Sequence, residues 1–230
     1  MNQKISPERA APGAARHPSI SSQHGIVRED DYAWLRASNW QEVMRDPKVL
    51  DPAIRAHLEV ENEYSKAELA DTETLQTALF AEMKARIKED DESVPAPDGA
   101  FQYYTRFVTG GQHPLFCRKP RNGGEERVLI DGNALAAGLP YFRIGGVSHS
   151  PDHKLIAYAV DTKGSEFFTI KIIEAETGAI VDAKITDTNG DMQWDNDSRG
   201  LFFIWVDDEH RPRRVLRHVV SGEAKDAMIR

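Results

Sequence analysis

The sequence predicts an α+β chain organised by segment, with an N-terminal helical segment followed by an incomplete β-propeller of about three antiparallel blades. Three observations predict it. Leu75, Leu79, Met83 and Ile87 recur at steps of four, the spacing of one helix face. After residue 98 the pattern changes to short β-prone runs separated by Gly, Asn and Asp. Those runs repeat, with turn glycines at Gly124, Gly178 and Gly222 lying 54 and 44 residues apart. Up to four short strands at a period of about 40–50 residues is the pattern of propeller blades, each a small sheet that buries its faces on its neighbours.

In chain order, residues 1–25 are rich in Pro, Ala, Ser and Gly and read as a flexible arm. Residues 26–88 read as the helical segment. Ser38 and Gln41 offer a capping box, and Asp51-Pro52 places an N-cap before a proline at the first helical position. A further helix opens near Asp71 or Thr72, and its Leu75/Leu79/Met83/Ile87 stripe is expected to be buried against a partner surface. Residues 89–97, Glu-Asp-Asp-Glu-Ser-Val-Pro-Ala-Pro, cannot continue a helix and read as an exposed acidic hinge.

Residues 98–230 read as the first blades of the propeller. The first unit combines 101–107, 115–117 and 128–130; the second combines 155–160, 168–173 and 183–186. The third combines 201–206, 214–220 and 227–229, with extra runs at 141–147 and 192–194 ahead of the second and third units. A ring of blades closes with roughly 4–8 units, so three leave it open.

Composition narrows the function. Apolar residues at 40% and charged residues at 29% describe a globular chain, and no apolar stretch reaches the ~20 residues of a membrane helix. The first residues carry no apolar signal core, and the lone Cys117 cannot form an internal disulfide or a zinc–cysteine site, so a cytoplasmic location is expected. The net charge of −8 is concentrated in residues 58–98, where twelve acids face four bases. Nucleic-acid binding needs a basic footprint, and the short run Arg211-Pro212-Arg213-Arg214 reads as a solvated strand end.

No catalytic, cofactor-binding or metal-ligating residue emerges from the spacing. Gly146-Val147-Ser148-His149-Ser150 lacks the second glycine of a nucleophile elbow and leads into another strand. Ser148 and His149 are strand neighbours whose side chains point to opposite faces. The eight histidines (His17, His24, His57, His113, His149, His153, His210 and His218) show no metal spacing. His149 and His153 flank a Pro-Asp turn, where helical spacing does not apply. Gly110-Gly111 and Gly123-Gly124 are turn glycines outside any phosphate-binding loop, and Asp90-Asp91 and Asp207-Asp208 read as solvated carboxylates. Cys117 is expected to be buried and inert.

Several ordered motifs do carry a resemblance. They begin with His24-Gly25-x-x-Arg28-x-Asp30-Asp31-Tyr32-x-Trp34-Leu35, then Asn39-Trp40, Ala70-Asp71-Thr72-Glu73, Glu82-Met83-Lys84 and Arg86-Ile87-Lys88-Glu89-Asp90-Asp91. Gly110-Gly111-Gln112-His113-Pro114, Asp131-Gly132-Asn133, His149-Ser150-Pro151-Asp152-His153 and His210-Arg211-Pro212 continue them. Together they resemble the prolyl oligopeptidase family of serine peptidases, in particular its oligopeptidase B branch, over about nine-tenths of the chain.

The resemblance implies an N-terminal part of a cytoplasmic endopeptidase that cleaves short peptides after Lys or Arg, with a propeller that admits only short peptides. It implies a C-terminal α/β-hydrolase domain as the partner of the helical segment. The family's catalytic Ser, Asp and His and its acidic substrate-binding residues would lie beyond Arg230, so no site residue transfers to this chain. The expectation is a piece inactive by itself, needing no cofactor, with short basic peptides as substrates of the whole protein and neither nucleic acid nor membrane as partners. The acidic bias of residues 58–98 could draw basic peptides inward. The alternatives are a stand-alone propeller-type interaction module, or the docking half of a split peptidase.

Overall fold

Capping and turn residues set the N-terminal elements of the computed structural model, which describes residues 10–222 and 226–229. The chain divides into two units, residues 1–87 and 88–230. The first begins with an antiparallel hairpin, β1 (Ser19–Gln23) against β2 (Ile26–Asp30). His24 and Gly25 join them with φ of 53° and 77°, the left-handed pair that suits a two-residue hairpin turn. The arm expected through residue 25 and the helical reading from residue 26 are therefore corrected here, because both runs pair with each other; residues 1–9 of that arm lie outside the described residues.

Helix α1 (Trp40–Arg45) follows. The Ser38 capping box does not form: Asn39 holds the cap position without a side-chain cap bond, and its Nδ2 donates instead to the Val49 carbonyl at 3.2 Å. Helix α2 (Pro52–Glu68) starts as the sequence specifies, Asp51 Oδ1 accepting from the Ala53 and Ile54 amides at 2.8 and 3.3 Å. Helix α3 (Glu73–Ala85) starts two residues after Asp71, but the Thr72 hydroxyl donates back to the Leu69 carbonyl and does not cap it. Ile54 is the one buried residue among those described in this unit. The stripe along α3 and the turn after it is not buried within its own unit: Leu75, Leu79, Met83 and Ile87 are 47–66% exposed.

The second unit opens with a four-stranded antiparallel sheet in chain order: β3 (Ala96–Asp98), β4 (Phe101–Arg106), β5 (Leu115–Pro120) and β6 (Arg127–Asp131). Its pairing continues back into the expected hinge. The Phe107 amide donates to the Asp91 carbonyl and the Ser93 amide to the Thr105 carbonyl, each at 2.8 Å, and Glu92 bridges Arg106. Residues 91–97 are thus the sheet's edge and not a free connection. Pro95 and Pro97 are tolerated because an edge strand leaves half its amides unpaired. Helix α4 (Gly132–Ala136), which the strand pattern does not anticipate, is capped by Asp131 Oδ1 on the amides of Asn133 and Ala134.

A seven-stranded antiparallel sheet follows: β7 (Arg143–His149), β8 (Leu155–Asp161), β9 (Phe168–Glu174), β10 (Ile180–Trp194), β11 (Gly200–Val206), β12 (Pro212–Val219) and β13 (Ala227–Met228). The runs expected separately at 183–186 and 192–194 are one strand, β10. Its first part pairs with β9 and its last part with β11, the register shifting between Thr188 and Met192. Asp187 and Gly190, at φ 55° and 91°, mark the bend. The sheet folds back there, so that Trp194 Nε1 donates to the Ser148 carbonyl of β7 at 3.1 Å. A Cβ on Gly145 would fall 2.8 Å from the Phe168 ring and one on Gly146 3.0 Å from the Gly190 carbonyl oxygen, so little room is left there for a side chain.

Strand β8 is buried on both faces. Ile156, Tyr158 and Val160 pack with Phe116, Leu129 and Ile130 of the first sheet. Ala157 and Ala159, with Ile170 and Ile172 of β9, pack on Ile185, Trp194, Leu201 and Phe203. A continuous apolar run that serves two cores is what a sheet covered on both sides requires, and each fully buried isoleucine contributes about 1.5–3 kcal/mol.

Candidate functional site

The richest group of polar and aromatic side chains lies where the first sheet meets the second. Asp98 and Tyr103 come from the β3–β4 hairpin, Arg118 from β5, and His149 and His153 from the end of β7 and the turn after it. The His149 ring stacks on Tyr103 at 3.9 Å between centroids, and its Nε2 lies 3.3 Å from Asp98 Oδ2. The Tyr103 hydroxyl lies 2.9 Å from His153 Nδ1. Arg118 is buried, donates to the His153 carbonyl at 2.7 Å, pairs with Glu176 and lies 4.2 Å over the Phe101 ring. Arg127 reaches the same Glu176 at 2.9 Å. Burial pushes the Tyr103 phenol above its usual range, against the opposing pull of Arg118.

The turn geometry explains these residues. His153 sits at φ 63°, and a Cβ on Gly99 would fall 2.3 Å from its Nε2, so Gly99 clears the space in which the imidazole docks. Ser150 Oγ donates to Asp152 Oδ1 at 2.6 Å and accepts from the Leu155 amide at 3.0 Å, fixing the Ser150-Pro151-Asp152 turn. The partners of His149 are therefore Asp98 and Tyr103 on other strands. The histidine pair joins two sheets. Among the described residues no group of three or more His, Cys, Asp or Glu side chains is placed to hold a metal ion.

A second network surrounds Cys117, which is buried in β5. Glu126 accepts from the Tyr104 hydroxyl at 2.6 Å and from Arg106 Nη2 at 2.6 Å. Those bonds, Arg106 first and Tyr104 second, lower the Glu126 carboxyl to about 2. Burial, and then the Glu126 charge, raise the Cys117 thiol to about 11, so it is protonated at neutral pH and a poor nucleophile. Tyr104 is pushed up by burial and then by its hydrogen bond to Glu126.

The remaining histidines act as local ties. His17 lies 5.2 Å from the Trp34 ring, whose Nε1 donates to the Ala15 carbonyl at 2.8 Å, and His57 lies 6.1 Å away on the same indole. Nε2 of His210, at φ 59°, contacts the Ser165 carbonyl at 2.6 Å, and the ring of His113 meets Phe142 edge-on. His24 forms the first hairpin turn. His218 was not distinguishable by spacing, yet it is buried between two carboxylates, Asp182 at 2.8 Å and Asp226 at 2.7 Å. Burial would raise the Asp182 pKa, but the His218 contact and the Lys184 amide outweigh it and hold the carboxyl below its usual range.

The basic run of β12 is largely spoken for. Arg211 pairs with Glu209 at 2.8 Å, Arg213 with Asp207 at 3.3 Å, and Arg214 lies 5.0 Å over Trp205. Asp207 also accepts from the Glu209 and Arg211 amides, and those backbone bonds keep its pKa low. Asp91 pairs with Lys88 at 3.6 Å. Gly110 and Gly123 adopt left-handed turns, the Gly110 amide donating to Glu89 Oε2.

In the first unit the salient feature is an uncovered apolar surface. Phe80 at 65% exposure adds to the α3 stripe, and the hairpin shows Ile20, Ile26 and Val27 at 58–73%. Among the described residues no helix is long and apolar enough to cross a membrane.

Comparison with known proteins fits this architecture. Residues 12–229 match the family described as prolyl oligopeptidase, N-terminal beta-propeller domain. Dipeptidyl aminopeptidase BI of Pseudoxanthomonas mexicana is 34% identical over 95% of the chain, and Protease 2 of Moraxella lacunata is 28% identical over 93%. The chain spans 32% and 31% of those two relatives. Oligopeptidase B from Leishmania major superposes with a TM-score of 0.83 at 30% identity, and that from Trypanosoma brucei with 0.81 at 29%, over 95% of this chain and 32% of each. A family match over almost every residue, on a fold of stacked antiparallel sheets, means that this chain belongs to the prolyl oligopeptidase family and forms its N-terminal β-propeller portion.

Proposed function

We propose that these 230 residues are the helical and propeller portion of a serine endopeptidase that cleaves short peptides after Lys or Arg, with bond breaking assigned to an α/β-hydrolase domain outside them. The observation that carries this is the apolar stripe of α3 and the turn after it, with Leu75, Leu79, Met83 and Ile87 left 47–66% exposed. An amphipathic helix with such a face is suited to cover another surface, and in this reading that surface belongs to the hydrolase domain. The two sheets read as three blades, the seven-stranded one being two four-stranded blades that share β10. In this reading the blades narrow the approach to the active site and exclude folded proteins by sterics. The protein works in the cytoplasm, where the unpaired Cys117 stays reduced.

A second reading is favoured by the 34% identity to a dipeptidyl aminopeptidase: the whole protein releases dipeptides from a free N-terminus. The test is to clone the reading frame through codon 230 and assay its product on short peptides with Lys, Arg or neutral residues before the scissile bond, with free and acetylated N-termini. Cleavage after Lys or Arg in acetylated peptides supports the endopeptidase. Cleavage restricted to free N-termini supports the second reading. A product that cleaves neither class overturns both, and leaves the interaction module or the split peptidase. In the endopeptidase, neutralising Glu89–Glu92 should lower kcat/KM by up to about 10-fold at low salt and by less at high salt.

A further inference from the structure

Two sheets packed face to face normally leave few voids larger than a water molecule. Between the first sheet and the start of the second there is a cavity of about 300 Å³, lined in part by Ser93 and the exposed Val94. Its walls are Tyr103, Tyr104, Phe116 and Cys117 on one side and Val147 and Ile156 on the other. Their polar groups turn elsewhere. The Tyr103 hydroxyl meets His153 and that of Tyr104 donates to Glu126. His149, at the rim, has Asp98 on Nε2 and the Ser150 carbonyl on Nδ1. Ser93 Oγ accepts from the Thr105 amide.

A space with apolar walls and engaged polar groups holds water poorly, and a ~150 Å³ apolar cavity takes one benzene. We infer that this inter-sheet cavity is a binding site for a small, uncharged, planar aromatic molecule of two fused rings. The volume accommodates about two fused rings. The ionisable ring in the lining, His149, already has Asp98 as its partner, and a buried charge without a partner is costly, which selects against charged ligands. The Tyr and Phe rings favour a flat π-surface in offset or edge-on contact. Residues on both sheets would touch the ligand, so its occupancy would tie the two sheets together.

The test is titration of the purified chain with 5-fluoroindole, followed by fluorine NMR. Saturable binding with a Kd of about 0.1–1 mM is expected for a ligand of about ten heavy atoms. Val147→Phe, which fills the cavity, should weaken binding at least about 10-fold, and Leu129→Phe serves from the opposite wall if the first variant does not fold by tryptophan fluorescence. Leu79→Ser, on the exposed face of α3, should leave the Kd unchanged. Absence of saturation below about 5 mM, undiminished binding to a folded cavity-filled variant, or loss of binding in Leu79→Ser would each overturn the assignment.

Discussion

The two units of this chain treat apolar side chains in opposite ways. In residues 88–230, Ile156, Ile170, Ile172 and Leu201 are almost completely inaccessible; in residues 10–87 only Ile54 is buried, while Leu75, Phe80, Met83 and Ile87 stand open to solvent. Both regions carry regular apolar patterns. The sheets satisfy theirs by stacking on one another, whereas the helical face is left exposed within its own unit. Periodicity therefore reports that a face is apolar, and not whether its own unit buries it.

Four substitutions test that contrast, from the largest expected effect to the smallest. Ile170→Ala, in the core shared by β8, β9 and β11, should cost about 2–5 kcal/mol in denaturant unfolding of the chain, read through Trp194 and Trp205. Arg118→Met keeps the bulk of the buried side chain but leaves the His153 carbonyl without its donor, and should cost about 1–3 kcal/mol. Asp51→Ala removes the α2 cap and should cost about 1 kcal/mol, registered by Trp34 and Trp40. Leu79→Ser should change the stability of the 230-residue chain by less than about 0.5 kcal/mol. In a longer protein whose further domain covers α3, the same substitution should become several-fold more costly, and equal cost in both would break the contrast.

Acid adds a further check confined to the sheets. The hydrogen bonds from Arg106 and Tyr104 hold the Glu126 carboxyl at about 2 in the folded chain, below the usual glutamate value of 4.5. The unfolded chain therefore binds more protons between those two values. The resulting stabilisation is complete above the unfolded pKa and is lost as pH falls through the folded one. Glu126→Gln should flatten the decline in stability across that interval, measured by unfolding at stepped pH; an unchanged slope would show that the Arg106–Glu126 pair carries none of it.

The strands were legible because their signals are local. Glycine turns at Gly124 and Gly178 and apolar runs such as Leu155–Val160 name their own boundaries, and Asp51-Pro52 names the start of α2. The hairpin at residues 19–30 was not legible as strand, because Ser-rich β1 has little apolar alternation and its pairing depends on the left-handed His24-Gly25 turn. The acidic stretch 91–97 looked free because its hydrogen bonds go to Thr105 and Phe107, which the stretch itself does not encode. The site was legible only in part for the same reason. His149 and His153 stood out as a pair, but Tyr103, Arg118 and Glu176 join them through sheet stacking over separations of up to 58 residues. His218 and Asp182, 36 residues apart, meet only because β10 and β12 share a sheet.

The most direct test of the account is the simplest assay on the purified 230-residue chain: hydrolysis of a short peptide carrying a fluorogenic group after Lys or Arg. No release above that of a mock preparation is expected, because His149 is engaged by Asp98 and Tyr103, Ser148 points to the opposite face of its strand from His149, and Cys117 is buried and protonated. Release that scales with the chain's concentration and is lost in Ser148→Ala or His149→Ala would contradict it, by placing the chemistry inside the sheets.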